Sequence, residues 1–164
     1  MARPREIRQL LSILDQAYDH RSWHGPNLRG AIRGVTSHEA AWRPAPGRHN
    51  IWELVLHAAY WKYAAWRRLA RAPRGAFPLA GSNWFRRPSS GAGANPTAWR
   101  HDLELLNDMH HALRVAAAAL DLGHLYKTYI GSAVSAFSIV AGAAAHVLYH
   151  AGQIQLLKRL RERR

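Results

Sequence analysis

The stretch AAHVLYHAGQIQLL, Ala144 to Leu157, decides how the rest of the chain is read. Its apolar residues recur at the three- and four-residue intervals of a helix. The pattern extends from about Ala133 to Arg161, with Ile139, Ala143, His146, His150, Ile154 and Leu157 on one side. In a helix, positions i and i+4 stand one above the other. Both imidazoles can therefore reach one metal ion, or they can be two hydrogen-bonded polar residues on an apolar face. The spacing alone leaves both readings open, because eleven histidines in 164 residues make chance pairs common.

Three more helical segments precede this one. The first runs from about Pro4 to Asp19, with Ile7, Leu10, Leu11 and Leu14 at helical spacing and Pro4 suited to the first turn. It is interrupted at SWHGP, Ser22 to Pro26, and resumes as NLRGAIRGV. Thr36 with Glu39 three residues on has the form of a capping box, and RPAPGRH, Arg43 to His49, is a loop. The second segment starts at Asn50, a cap with Glu53 as partner, and continues to about Arg71. Leu54, Ala58, Trp61 and Ala65 form its inner stripe, which also carries His57. Residues 73–95 are rich in Pro, Gly and Ser, yet Trp84 and Phe85 in their midst imply a packed connection. The third segment opens at Asn95-Pro96 and runs to about Leu120. Leu103, Leu106, Met109 or His110, and Leu113 make its stripe, and Gly123 marks the break before the fourth. Strand signals are nearly absent. The expectation is an all-α single domain over residues 1–164, a four-helix bundle with a long crossover between helices 2 and 3 and a basic C-terminal tail at about 158–164.

Composition narrows the functions. Hydrophobic residues make up 48% of the chain, a globular share. No apolar run approaches the roughly 18 residues of a membrane span, so no membrane partner is expected. The N-terminal MARPREIRQLL lacks the apolar core of a secretory signal, so a cytoplasmic location is expected. With no cysteine there is no disulfide, no thiolate zinc site and no cysteine nucleophile. Any metal ligands must be His, Asp or Glu. Lys+Arg number 23 against 10 Asp+Glu, a net charge of +13, and the only lysines are Lys62, Lys127 and Lys158. That balance favours anionic partners. The basic residues are scattered, and only KRLRERR is a dense run, so nucleic acid ranks below a small anionic substrate.

A catalytic zinc-type site commonly uses three protein ligands and an open water position. His57, on the inner stripe of another segment, is the candidate third ligand beside His146 and His150. WRPAPGRHNIWELVLHAAYWK, AHVLYHAGQIQLLKRL and SWHGPNLRGAI together resemble the DinB-like superfamily of metal-binding four-helix bundles. The resemblance covers roughly Leu14 to Leu160 and is thinnest between Pro73 and Asn95. It maps the family's first ligand histidine onto His57 and its paired histidines onto His146 and His150. Many relatives carry an acidic residue after the first of that pair, where this chain has Val147, a position expected to point off the ligand face. The resemblance implies zinc or nickel with water in the remaining positions, and a homodimer. It also implies reactions such as thiol S-transfer and isomerisation with a low-molecular-weight thiol cosubstrate, or metal-dependent hydrolysis.

Other residues near this set each carry two readings. Gln153 could orient a ligand or touch water or substrate, or it is a surface amide at a dimer contact. Glu53 could orient His57 or act as a general base, but the cap with Asn50 is the simpler role. His24 could face the pocket as an acid, base or substrate contact, or mark a helix kink held by Trp23. His49 is expected in a loop, and of His110 and His111 at most one faces inward. Trp84 could form a pocket wall. The leading expectation is a metal-dependent enzyme, of transferase or hydrolase type. Its rival is a basic dimeric helical protein that binds nucleic acid or an acidic partner, with a structural metal or none.

Overall fold

The computed structural model describes residues 3–75, 77–88, 94–128 and 133–162. Its helices are α1 Arg5–Tyr18, α2 Leu28–Ile32, α3 Ser37–Ala41, α4 Ile51–Leu69, α5 Pro96–Ala118, α6 Leu122–Leu125 and α7 Ala136–Glu162. Among the described residues there is no strand, only an isolated bridge between Thr128 and Ser135. None of these helices is long and apolar enough to cross a membrane.

Side-chain chemistry sets where the helices begin. Asn27 caps α2 by accepting from the Gly30 N–H. Thr36 and Glu39 form the expected capping box on α3. Asn50 caps α4 through the Glu53 N–H, and Asn95 caps α5, with Pro96 at its first position. These contacts satisfy N–H groups that a helix start leaves without partners. Pro4 differs from expectation: it is extended, at the cap position just before α1. Gly123 lies in the break between α5 and α7, as expected, within the single turn of α6 capped by Asp121. Part of the link YKTYIGS, residues 129–132, lies outside the described residues.

The four long helices α1, α4, α5 and α7 carry most of the core. Side-chain registers give their directions. Trp52 and Lys62 of α4 meet Asp102 and His110 of α5, so both sequences advance together and the two helices run parallel. Tyr18 and Asp15 of α1 meet Asn107 and Arg114 of α5, one sequence rising as the other descends back toward α1's start. His57 and Trp61 of α4 face His150 and His146 of α7 in the same opposed sense. Thus α1 and α7 run one way and α4 and α5 the other. A parallel pair that is consecutive among the long helices needs a connection spanning about 28 Å, the length of a 19-residue helix at 1.5 Å per residue. Helix α4 ends at Leu69 and α5 begins at Pro96.

Helix α4 is buried on more than the expected stripe: Trp52, Val55, Leu56 and Ala59 are enclosed along with Leu54, Ala58 and Ala65. Trp61, expected inside, is 38% exposed. On α5, His110 rather than Met109 completes the buried face, and His111 is exposed. Two basic residues at the end of α7 are tied to the body: Lys158 donates to the Ala31 carbonyl and Arg161 pairs with Glu39.

Candidate metal centre

Helices α4 and α7 bring His57, His146 and His150 together. One ligand nitrogen from each lies within 4.8 Å of the others. Nε2 of His146 is 3.2 Å from Nε2 of His57 and 3.0 Å from Nε2 of His150. Nitrogens about 2.0–2.1 Å from one tetrahedral ion stand about 3.3 Å apart, so the two separations from His146 match those of ligands sharing an ion.

Hydrogen bonds fix which way the ring nitrogens point. Nδ1 of His57 lies 2.8 Å from the backbone carbonyl of Asn83 and must donate to it. Nδ1 of His150 donates to Oε1 of Gln153 at 2.6 Å, and the Gln153 amide donates in turn to the Tyr149 hydroxyl at 3.1 Å. With Nδ1 protonated in both rings, both Nε2 lone pairs aim at His146. A single N–H on His146 cannot satisfy two such lone pairs well, whereas one cation among the three nitrogens satisfies all of them.

Electrostatics keeps these rings neutral. Burial pushes His57 down to about 4, with the His150 and His49 charges adding to it and the Asn83 carbonyl opposing. His146 is also pushed down to about 4, by burial first and then by His150, His57 and Lys62. Burial lowers His150 against the opposing pull of Gln153. A neutral imidazole is the form that binds a metal.

The connection from α4 to α5 builds the wall beside His57. Asn83 sits in the left-handed backbone region, φ 66°, which Asn tolerates better than most residues. Its carbonyl holds His57, and its side-chain oxygen accepts from the Trp61 indole N–H at 2.9 Å. The next residue, Trp84, stacks on His57 with centroids 3.8 Å apart. His49 covers the opposite face of Trp84 at 3.6 Å. Glu53 then holds His49, Oε2 to Nδ1, at 2.9 Å.

The profile of the DinB superfamily matches residues 21–154. The chain belongs to the DinB superfamily. Among curated proteins and among solved structures, nothing matches it.

Within this DinB-superfamily chain, the other expected residues fall in different places. Val147 is 1% exposed and packs into the core, off the histidine cluster. Glu53 makes no hydrogen bond to His57. Its carboxylate takes both Arg43 guanidinium nitrogens, the His49 ring and the Arg87 backbone N–H. Burial alone would raise this carboxyl, but those donors outweigh it and hold it down to about 2. An ionised group with both oxygens engaged is a clamp between α4 and the loops, and its link to His57 passes through His49 and Trp84. His24 is exposed in the loop before α2. Its ring is 3.5 Å from the Ser22 hydroxyl, and no hydrogen bond or ring contact joins it to the cluster among the described residues. Trp23 beside it is 95% exposed and holds no kink. Sequence reasoning missed Asn83, Arg43 and Arg87. Asn83 acts through its backbone carbonyl, which any residue type carries, and the two arginines are hidden among many.

Proposed function

We propose that this protein is a metal-dependent enzyme in which His57, His146 and His150 hold a divalent transition ion, zinc or nickel, next to a small organic anion as substrate. The observation that carries the reading is the convergence of three neutral Nε2 atoms, two of them aimed by fixed Nδ1 donors. Three ligands from the protein leave coordination positions for water or substrate, which favours chemistry over a closed structural site. When bound, such an ion supplies Lewis acidity that lowers the pKa of a water or thiol added to it.

The chain's own residues do the rest. Asn83 and Gln153 hold two imidazoles in one tautomer and orientation. Trp84 and Trp61 border the cluster with aromatic surface that excludes water from one side. With no cysteine in the chain, thiol chemistry would draw on a low-molecular-weight thiol cosubstrate. Hydrolysis and thiol transfer are the two reaction types this arrangement suits. We read the four long helices as a single four-helix bundle with a crossover over residues 70–95. Tyr149, Leu156 and Leu160 expose an apolar stripe on the outer side of α7, which supports a homodimer formed through that helix.

The test is an assay of metal-loaded, chelator-stripped and reloaded protein with aryl esters, and with an electrophile plus small thiols. Activity that vanishes on stripping, returns on reloading and is missing from His150→Ala supports the reading. Activity indifferent to stripping contradicts it.

A further inference from the structure

A recess lies next to the histidine cluster, a cavity of about 480 Å³ lined by α4 and the connection that follows it. That volume is in the range of small-molecule sites. Trp61 lies in its wall, and the same indole meets His146 edge-on at 6.1 Å and His57 at 6.3 Å. The recess and the metal centre are therefore one side chain apart.

Its lining divides by chemistry. Tyr60, Tyr63 and Phe77 form an aromatic cluster, with Phe77 5.4 Å from each tyrosine ring. Arg67, Arg68 and Arg74 also line it, and among the described residues the lining contains no Asp or Glu. Among the described residues these three arginines make no ion pair, whereas Arg43, Arg87, Arg114 and Arg161 each have an acidic partner. Arg67 and Arg68 suit the negative C-terminal end of α4 by themselves. Arg74 does not belong to that helix, yet it reaches the same recess.

We propose that this recess binds a planar organic acid, its ring against the aromatic cluster and its carboxylate groups on Arg67, Arg68 and Arg74. Guanidinium forks match carboxylates bidentately, and aromatic faces hold flat conjugated bodies. A ligand seated here brings its far end past Trp61 toward the histidines. Its role as the substrate subsite rests on the proposed function, but its binding of the acid does not.

Isothermal titration calorimetry at low salt with isophthalate (benzene-1,3-dicarboxylate), on metal-free and zinc-loaded full-length protein, tests this. One isophthalate should bind per chain in both forms. The Arg67→Gln/Arg74→Gln variant should bind at least about tenfold more weakly, as loss of charged hydrogen bonds implies. Neutral isophthalamide should be weaker by a similar factor, and the exposed Arg100→Gln variant should match wild type. His150→Ala, unable to hold the metal, should still bind isophthalate, so failure of the metal centre and failure of the recess give different results. Absence of isophthalate binding to wild type, or equal affinity in the double arginine variant, overturns the proposal.

Discussion

The indole of Trp84 lies flat on the imidazole of His57, with centroids 3.8 Å apart and planes within 12° of parallel. His49 covers the other face of the indole, 3.6 Å away and within 6°. A residue of the α4–α5 connection thus sets the pitch of a ring carried by α4. Stacking of this kind restrains rotation about χ2, the freedom that metal ligation must remove. Trp84→Leu should weaken zinc binding about tenfold, in the range for lost supports of metal ligands. Trp84→Tyr, which keeps a flat ring, should lose less. Competition against a chromophoric chelator measures both.

Gln153 supports His150 through the Nδ1 proton. Gln153→Ala removes the acceptor of the Nδ1 proton and should lower zinc affinity about ten- to a hundredfold without loss of helix. Gln153→Glu retains an acceptor and adds negative charge, so its affinity should match or exceed that of wild type. The same competition titration, with circular dichroism as the control for folding, checks the pair. Equal affinities in all three proteins would show that Gln153 does no orienting.

Arg43 and Glu53 join the loop before α4 to its first turn. Glu53 is held down to about 2 in the fold, against an ordinary value of 4.5. It therefore contributes stability that is present above about pH 4.5 and is lost as pH falls through that value toward 2. Arg43→Ala leaves a buried carboxylate with fewer partners, since His49 and the Arg87 N–H remain. It should destabilise the protein at pH 7 by about 2 kcal/mol. The acid unfolding midpoint should move to higher pH. Urea titrations at pH 7 and acid titrations followed by circular dichroism measure the two effects.

Much of this arrangement was legible in the sequence, and the parts that were not share a cause. Asn27, Thr36, Asn50 and Asn95 announce helix starts because capping is local chemistry. His57, His146 and His150 lie on helical stripes, and family resemblance connected them. Trp61 and the enclosure of Trp52 and Val55 were hidden, because the number of neighbours that cover a helix is set by tertiary packing. The carbonyl of Asn83 leaves no mark in a side-chain pattern. Glu53 showed its cap position, but its guanidinium partner ten residues earlier depends on how the loop folds back. A histidine beside a Gly-Pro break, such as His24, looks the same in the sequence whether it faces a pocket or solvent.

Lys62 lies fully inside the helices, its ammonium 3.0 Å from Nδ1 of His110 and 4.7 Å from the centre of the Tyr18 ring. Burial pushes it down from 10.5 to about 7, against the opposing pull of Asp19 and Asp15. The unfolded chain keeps this proton up to about pH 10.5 while the folded one releases it near 7. The unfolded state then binds more protons between those values, so Lys62's contribution to stability rises with pH across that window. Below pH 7 both states hold the proton and the penalty is complete. Lys62→Met should lack this rise. Urea unfolding of both proteins at pH 7 and pH 9.5 should show a stability difference that changes with pH, and parallel behaviour would contradict the assignment.

Three imidazoles on two helices are predicted to hold one metal ion. The most direct test is metal analysis of purified protein after metal-replete dialysis, for wild type and for His57→Ala, His146→Ala and His150→Ala. About one zinc or nickel ion per wild-type chain is predicted from a three-ligand site, with strongly reduced content in each variant. A wild-type protein that retains no transition metal, or variants that retain as much as wild type, would contradict it.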